Sequence, residues 1–231
     1  MKELVWVVED GILDLLGGLA GDENSDFDGF YARDGQIRTF WNSLSSAKFV
    51  DRRFAETDTS HKQVIPYAII TSEGRYLTYE RSGGNEARLD KKYSIGVGGH
   101  INPEDQFSDW RRVVYFSVLR ELDEELYALE RGCRFPVSNL VYDKLKIKGI
   151  LYDDSDEVGQ VHIGMILHAE LEPEFVPTIQ MLSEGKGLTW KAPWEIYELG
   201  DRLEGWSRKS LKALEAGAQG CPVSLKELSE R

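Results

Sequence analysis

The segment from Trp110 to Leu129 carries the strongest helical pattern in the chain, and it constrains the fold more than any other feature. At about 100° per residue, Glu121, Glu124 and Glu125 fall within one arc of about 100°, so three carboxylates share a helical face. A separate arc carries apolar residues that can anchor the helix to a core: Leu119, Leu122, Leu126 and Leu129. The pattern therefore predicts one long helix that packs on one side and presents acids on another.

Strand patterns lie on both sides of this helix. Alternating or continuous apolar runs predict five strands: Val64–Thr71, Tyr76–Glu80, Tyr93–Val97, Leu140–Ile150 and Val161–Leu171. The first two strands flank a short loop that ends in Gly74, which is typical of a hairpin. Closing helices are predicted at Trp194–Leu203 and Trp206–Leu214. The order of elements indicates a mixed α/β layered domain over residues 61–215, with an N-terminal extension (1–60) packed on the core and a thinly patterned C-terminal tail (216–231).

The shared face of Glu121, Glu124 and Glu125 has an energetic cost. Like charges three and four positions apart destabilise a helix by a few tenths of a kcal/mol per pair, and by more in a cleft of low dielectric constant. A divalent cation reverses that cost, and carboxylate oxygens suit Mg²⁺ or Mn²⁺. The other interpretation is a solvated charged face. The net charge of −12 disfavours a nucleic acid polymer as partner, and it implies that an anionic substrate needs a cation to bind.

A glycine-rich segment precedes the helix and completes a motif. Its residues run Gly98, Gly99, His100, Ile101, Asn102, Pro103, Glu104 and Asp105. Together with the helix, this segment resembles the box of the Nudix hydrolase family (MutT-like). The matching residues are Gly99, Arg120, Glu121, Leu122, Glu124, Glu125 and Ala128, with Asp105 where the family has its first Glu.

Two features depart from the family pattern. From Asp105 to Arg120 is 120 − 105 = 15 positions where the family spacing is eight, so residues 106–112 are an insertion of about two helical turns. Because this is close to a whole number of turns, we expect Arg120 still to reach Asp105 or Glu104. Tyr127 replaces the family's glycine, so the helix is expected to continue to Gly132, with Ser108 or Asp109 as its N-cap.

The resemblance implies a Nudix-type α/β/α sandwich with a mixed sheet and one long carboxylate-bearing helix. It implies a pyrophosphohydrolase that cleaves a diphosphate linkage in a nucleoside diphosphate-linked small molecule by water attack at phosphorus, with Mg²⁺ or Mn²⁺ as cofactor. The implied catalytic residues are Glu121, Glu124, Glu125 and Arg120, the glutamates being the metal ligands. Arg120 orients a loop carboxylate.

Other residues are candidates on their own chemistry. Arg81 and Arg88 precede the box and are predicted to bind substrate phosphates, together with the backbone at Gly98 and Gly99; a solvated basic edge is the alternative. Glu157, in the acidic loop after the fourth strand, is a candidate distal metal ligand, although acidic loops are usually solvated. Two histidines are also candidates: His100 is a ligand, a proton carrier or a plain loop histidine, and His162 is predicted to be a packed core histidine.

Two alternative functions remain at this stage. One is a catalytically silent Nudix-like nucleotide sensor that signals through its N-terminal extension. The other is an isopentenyl diphosphate isomerase-like enzyme, which His100 after a glycine pair suggests and the lack of a Cys in the box region disfavours. The partners expected are a small-molecule diphosphate and, as a candidate, a second copy in a homodimer. The absence of a signal-like start, a membrane-length apolar run and a cysteine framework predicts a cytoplasmic protein without a membrane partner.

Overall fold

A computed structural model describes residues 3–18, 29–82, 91–105, 109–155, 157–182 and 185–230. The strands are β1 (Leu4–Glu9), β2 (Phe30–Tyr31), β3 (Lys48–Asp51), β4 (His61–Ser72), β5 (Arg75–Arg81), β6 (Tyr93–Ser94), β7 (Gly96–Gly98), β8 (Leu126–Glu130), β9 (Cys133–Pro136), β10 (Lys146–Leu151), β11 (His162–Glu170), β12 (Ile179–Met181) and β13 (Gly185–Lys191). The helices are α1 (Ile12–Gly18), α2 (Asp34–Ser43), α3 (Arg52–Ala55), α4 (Trp110–Glu125), α5 (Ser138–Val141), α6 (Pro193–Tyr197), α7 (Gly205–Glu215) and α8 (Leu225–Ser229).

The large sheet is organised around β4. Its main path runs β13-β5-β4-β11-β10-β2, and β4 pairs in parallel with β11 along one edge. Along its other edge β4 pairs in succession with β1, β7 and β5, all antiparallel. On this edge, residues 64–66 of β4 lie between the segment that pairs with β1 and the segment that pairs with β7. After Gly98, the last residue of β7, the chain leaves the sheet beside this gap. The glycine-rich segment therefore departs from the middle of a mixed sheet.

Helices cover both faces of this sheet. Successive side chains of a strand point to opposite faces, and β4 is buried on both. Ala68 belongs to the same apolar cluster as Leu122 of α4, whereas Tyr67 belongs to a second cluster with Leu211 of α7. The predicted α/β/α sandwich with a mixed sheet and a carboxylate-bearing helix is confirmed.

The β4–β5 hairpin forms as its loop predicts. Glu73 and Gly74 occupy the turn with φ of 49° and 72°, the conformation of a two-residue type I′ connection. A Gly at the second position carries no Cβ penalty at this φ. The hairpin sets the register of the sheet that carries Arg81.

The long helix ends earlier than the sequence pattern predicts. Asp109 caps α4, its Oδ1 accepting from the backbone N–H of Arg111 at 3.0 Å. After Glu125, however, the chain becomes β8, which pairs with β12 and β9 in a second, three-stranded sheet. The backbone N–H of Leu182, the residue after β12, donates to the carbonyl of Glu125 at 2.7 Å and satisfies a helix-terminal acceptor. The prediction of a helix to Gly132 is therefore wrong; Gly132, with φ of 81°, lies in the β8–β9 turn.

A second boundary differs near residue 140. The predicted strand Leu140–Ile150 is divided into α5 and β10. The carboxylate of Asp123 on α4 accepts from the backbone N–H of Ser138 at 2.9 Å and from its hydroxyl at 2.6 Å, which orients the start of α5. An acid from another element thus overrides the local strand pattern. The predicted helix Trp194–Leu203 is likewise shorter, because α6 is followed by a 3₁₀ turn at Gly200–Arg202.

Both flanking segments contribute to the core. β1 joins β4, and the α2 side chains of Phe40 and Trp41 belong to the same buried cluster as Leu122 of α4. At the other end, Leu225 and Leu228 of α8 are buried in that cluster, although the sequence shows little pattern there. The domain boundaries at residues 60 and 215 stay a prediction. Among the described residues, no helix has both the length and the apolar character needed to cross a bilayer.

We predict an acid-sensitive contribution to stability from His168 in β11. Burial lowers the pKa of His168 from 6.5 to about 4. The unfolded chain therefore binds the proton more readily between these values, so stability is full above about pH 6.5 and falls as pH drops toward 4. We expect His168 to lower the free energy of unfolding by about 1–2 kcal/mol as the pH falls from 7.5 to 5, allowing for its partial exposure.

The variant His168→Gln tests this contribution, because an amide can still donate to the hydroxyl of Thr71, 2.7 Å from the imidazole Nε2. Urea unfolding at pH 7.5 and 5 should show a smaller loss of stability in the variant. An equal loss in both proteins would assign the acid sensitivity to other groups.

Candidate active site and metal centre

Helix α4 buries two of the three predicted carboxylates. Glu121 and Glu125 are 9% and 7% exposed, whereas the side chain of Glu124 is 58% exposed. The difference follows from the helical period, since Glu121 and Glu125 are one turn apart and Glu124 lies towards the solvent edge of the same face. The helical face that carries the three glutamates is therefore partly buried, and the alternative of a fully solvated face is excluded.

At Gly99 the backbone of the loop after β7 packs against this face of α4. A Cβ placed on Gly99 would lie 2.3 Å from Oε2 of Glu121 and 2.4 Å from its carboxyl carbon. At Gly98 the corresponding atom would lie 2.4 Å from the carbonyl oxygen of Pro66. The two glycines thus permit two different approaches: Gly98 packs on the sheet, and Gly99 packs on the carboxylate.

Arg120 joins the loop to the helix. Its Nε and Nη2 donate to Asp105 Oδ1 and Oδ2 at 2.8 and 2.7 Å, a bidentate pair, and Nη2 also donates to the carbonyl of His100 at 3.0 Å. Its Nη1 donates to Glu121 at 2.7 Å and to Glu124 at 3.1 Å. The expectation that Arg120 reaches a loop carboxylate is confirmed, and the carboxylate is Asp105; that residues 106–112 are an insertion stays a prediction. Residues 106–108 of the insertion lie outside the described residues.

The ionisation of Glu121 reflects its burial. Burial raises the pKa of Glu121 to about 7, against the opposing effect of the Arg120 guanidinium. In contrast, the hydrogen bond with Asp105 raises the pKa of Arg120, which stays charged. A divalent cation would favour the ionised form of this buried carboxylate and of Glu125, one helical turn away. The donor set therefore fits Mg²⁺ or Mn²⁺, with Glu121 and Glu125 as its buried members.

Glu125 is connected to β5. The hydroxyl of Tyr79 donates to Oε2 of Glu125 at 3.3 Å and to the carbonyl of Gly96 at 3.0 Å. Burial and the charge of Glu125 raise the pKa of Tyr79, which keeps its proton and remains a donor. The sequence pattern does not identify Tyr79, because it reads as one apolar residue of a buried strand.

The predicted substrate-binding arginines have different positions. Arg81 Nη1 lies 3.8 Å from Oε2 of Glu204, a buried acid that also accepts from Ser94 and Ser207. Although burial opposes ionisation, Glu204 raises the pKa of Arg81. Much of the charge of Arg81 is thus already balanced within the protein. Arg88 lies outside the described residues, and the role of both arginines toward substrate stays a prediction.

Two histidines predicted as separate residues are in contact. His100 Nε2 and His162 Nε2 are 3.3 Å apart, and a carboxylate oxygen of Glu56 lies within 4.8 Å of both. Among the described residues, Glu56, His100 and His162 are the set of at least three His, Cys, Asp or Glu residues whose ligand atoms all lie within 4.8 Å of one another. The carboxylates of Glu121, Glu124, Glu125 and Glu157 do not form such a set. Glu157 is exposed in the loop after β10, and its role as a distal ligand stays a prediction. The sequence gives no signal for Glu56, which lies 44 residues before His100.

The chain is similar to known proteins in both sequence and structure. The chain is 32% identical over 197 residues to protein YmaB of Bacillus subtilis (strain 168), covering 84% of this chain and 91% of YmaB. The crystal structure of Tm1382, a candidate Nudix hydrolase, is 25% identical with a TM-score of 0.66, covering 92% of this chain and 98% of that one. No protein-family model matches the chain.

A third likeness concerns the fold alone. A bifunctional NMN adenylyltransferase/ADP-ribose pyrophosphatase from Francisella tularensis, crystallised with AMP and a Mn ion, is 16% identical with a TM-score of 0.50, covering 68% of this chain and 42% of that one. The ordered motif on Gly99 and α4, the Arg120–Asp105 pair and the fold shared with Tm1382 agree with one another. The chain belongs to the Nudix hydrolase family.

Proposed function

We propose that this protein hydrolyses a diphosphate linkage in a nucleoside diphosphate-linked small molecule, with Mg²⁺ or Mn²⁺ as its cofactor. The observation that carries the proposal is the pair of buried carboxylates one helical turn apart, Glu121 and Glu125, the first of which lies against the backbone of Gly99. Burial of two acids one turn apart is unfavourable unless the site uses them. The Francisella protein of similar fold was crystallised with a Mn ion, which supports a divalent metal as the cofactor.

The residues of this chain have separable roles in the proposed reaction. Glu121 and Glu125 would hold the metal, and Glu124 would complete the set from the solvent side. The metal, when bound, screens phosphate charge and lowers the pKa of a coordinated water. Arg120 positions the loop through Asp105 and the carbonyl of His100, so it acts on the carboxylates and not on the substrate.

The proposal is tested with the purified chain on ADP-ribose, nucleotide sugars, dinucleoside polyphosphates and modified nucleoside triphosphates. Each substrate is incubated with Mg²⁺, with Mn²⁺ and with excess chelator, and the phosphorylated products are separated and quantified. We expect turnover of at least one substrate that requires metal. Equal turnover in chelator, or no turnover on any member of the panel with metal, would contradict the proposal.

A catalytically silent nucleotide sensor is the second candidate. It is favoured by the ion pairs of Arg120 with Glu121 and Glu124, which occupy carboxylate oxygens that a metal would need. Calorimetry separates the two functions, because a sensor would bind a nucleotide with measurable heat and leave it intact.

We predict that Gly99→Ala impairs the site without impairing the fold. The new Cβ would displace only the far end of the Glu121 side chain, and Gly99 is not among the glycines with positive φ. We expect turnover to fall by about tenfold or more and the free energy of unfolding to change by less than about 1 kcal/mol. Kinetics and urea unfolding measure the two quantities.

Gly98→Ala is the contrasting variant. Its Cβ would meet the backbone oxygen of Pro66 at 2.4 Å, which cannot move without the sheet, so stability should fall by more than it does in Gly99→Ala. Equal stability losses in the two variants would contradict this assignment of the two glycines.

A further inference from the structure

A second group of potential metal ligands lies outside α4. It consists of Glu56, just after α3, His100, in the loop after β7, and His162, at the start of β11. One ligand atom from each lies within 4.8 Å of the others. His162 is 5% exposed and Glu56 is half-buried, so the group is mostly shielded from water.

The distance between the two imidazole Nε2 atoms matches the distance expected when both bind one metal ion. Two nitrogens that each lie about 2.05 Å from a tetrahedral zinc ion are about 3.3 Å apart. The two Nε2 atoms are 3.3 Å apart, and the ring planes are tilted by 59°. A direct hydrogen bond between the rings is the competing explanation of this distance.

The surroundings of His162 are compatible with the ligand form. Its Nδ1 lies 2.7 Å from the carbonyl of Val158, so Nδ1 carries the proton and Nε2 presents a lone pair toward His100. A backbone carbonyl that accepts from the second ring nitrogen is the usual outer contact of a metal-binding histidine.

Gln63 provides an independent observation. It is fully buried, and within the part of the chain that the structure describes neither of its amide atoms has a hydrogen-bond partner. Gln63 is the in-register neighbour of His162 on the parallel strand β4, so the two side chains project from the same face of the sheet. A buried amide without partners is costly, and a metal-bound water or ligand beside His162 would relieve that cost.

Charge at this place is also compatible with a cation. The neighbouring Arg52 donates to Glu3 at 2.6 Å and to Oε1 of Glu56 at 3.0 Å, so two carboxylates offset one guanidinium. Glu56 can therefore face a metal while Arg52 holds its other side.

We propose that Glu56, His100 and His162 form a zinc site, separate in its ligands from the carboxylates of α4. Two imidazoles and one carboxylate suit Zn²⁺, whereas Mg²⁺ prefers oxygen ligands. The site joins the N-terminal segment, through Glu56, to the loop that carries Gly99 and to the sheet, through His162. It does not depend on the proposed hydrolase activity, because it concerns metal binding alone.

The experiment measures Zn²⁺ binding to metal-free full-length protein in the presence of millimolar Mg²⁺. Calorimetry gives affinity and stoichiometry, and Co²⁺ substitution reports the ligands, since four-coordinate Co²⁺ with nitrogen ligands has intense visible absorption. The ligand variants are Glu56→Gln and His162→Gln. The matched controls are His168→Gln, a half-buried histidine on the same strand, and Glu125→Gln on α4. Circular dichroism verifies that each variant is folded.

We expect one Zn²⁺ per chain, retained against Mg²⁺, with affinity at least tenfold weaker in both ligand variants and unchanged in both controls. Glu56→Gln keeps the test valid if His162→Gln does not fold, because Glu56 is partly exposed. Absence of Zn²⁺ binding in the wild-type chain would overturn the proposal in favour of a histidine–histidine hydrogen bond. Zn²⁺ binding that Glu125→Gln removes and Glu56→Gln leaves intact would assign the ion to α4 and also overturn it.

Discussion

Glu125→Gln is expected to reduce metal-dependent turnover by at least a hundredfold, which corresponds to about 2.7 kcal/mol of transition-state stabilisation. Glu125 is buried, lies one turn from Glu121 and accepts a hydrogen bond from Tyr79. The amide keeps the shape and an acceptor for the tyrosine hydroxyl but removes the charge that would hold Mg²⁺. The loss should therefore appear in turnover and in metal affinity together.

The same variant should slightly raise the melting temperature in chelator, because one like-charge pair and one buried charge are removed. Addition of Mg²⁺ should raise the melting temperature of the wild type and leave that of the variant almost unchanged. Glu130→Gln, an exposed acid on β8, is the control and should behave as wild type. Near-normal turnover in Glu125→Gln would remove Glu125 from the metal site.

Arg120→Ala is expected to lower the free energy of unfolding by about 3–5 kcal/mol, the range measured when one partner of a buried ion pair is removed. Asp105 is 4% exposed and would be left with a buried charge that, among the described residues, keeps the backbone N–H of Asn102 at 2.9 Å as its donor. The carbonyl of His100 would also lose its donor. Turnover should fall with stability, since the loop that carries Gly99 would no longer be fixed to α4.

Urea unfolding of Arg120→Ala, Asp105→Asn and the double variant measures the coupling. We expect the double variant to be more stable than the sum of the two single losses predicts, because the asparagine removes the unpaired charge. Arg112→Ala, an exposed arginine on the same helix, should cost less than about 1 kcal/mol. If Arg120→Ala costs no more than Arg112→Ala, the pair does not hold the loop.

These expectations rest on features that short stretches of sequence specify. Glu121, Glu124 and Glu125 share a face because four residues make about one helical turn, and this holds wherever the helix packs. The hairpin at Gly74 follows from its turn residues in the same way. The motif also predicts that Arg120 reaches Asp105 or Glu104, and the structure selects Asp105.

Tertiary structure decided the features that depend on distant partners. The helix ends at Glu125 because β12, more than fifty residues later in the chain, pairs with β8, and Leu182 just after β12 donates to the carbonyl of Glu125. Distant partners also decided which acids are buried: the backbone at Gly99 packs on Glu121, and Tyr79 contacts Glu125. The approach of Glu56, His100 and His162 required three separate elements to meet. Periodicity reports which face a residue occupies, whereas only long-range packing determines what lies opposite that face.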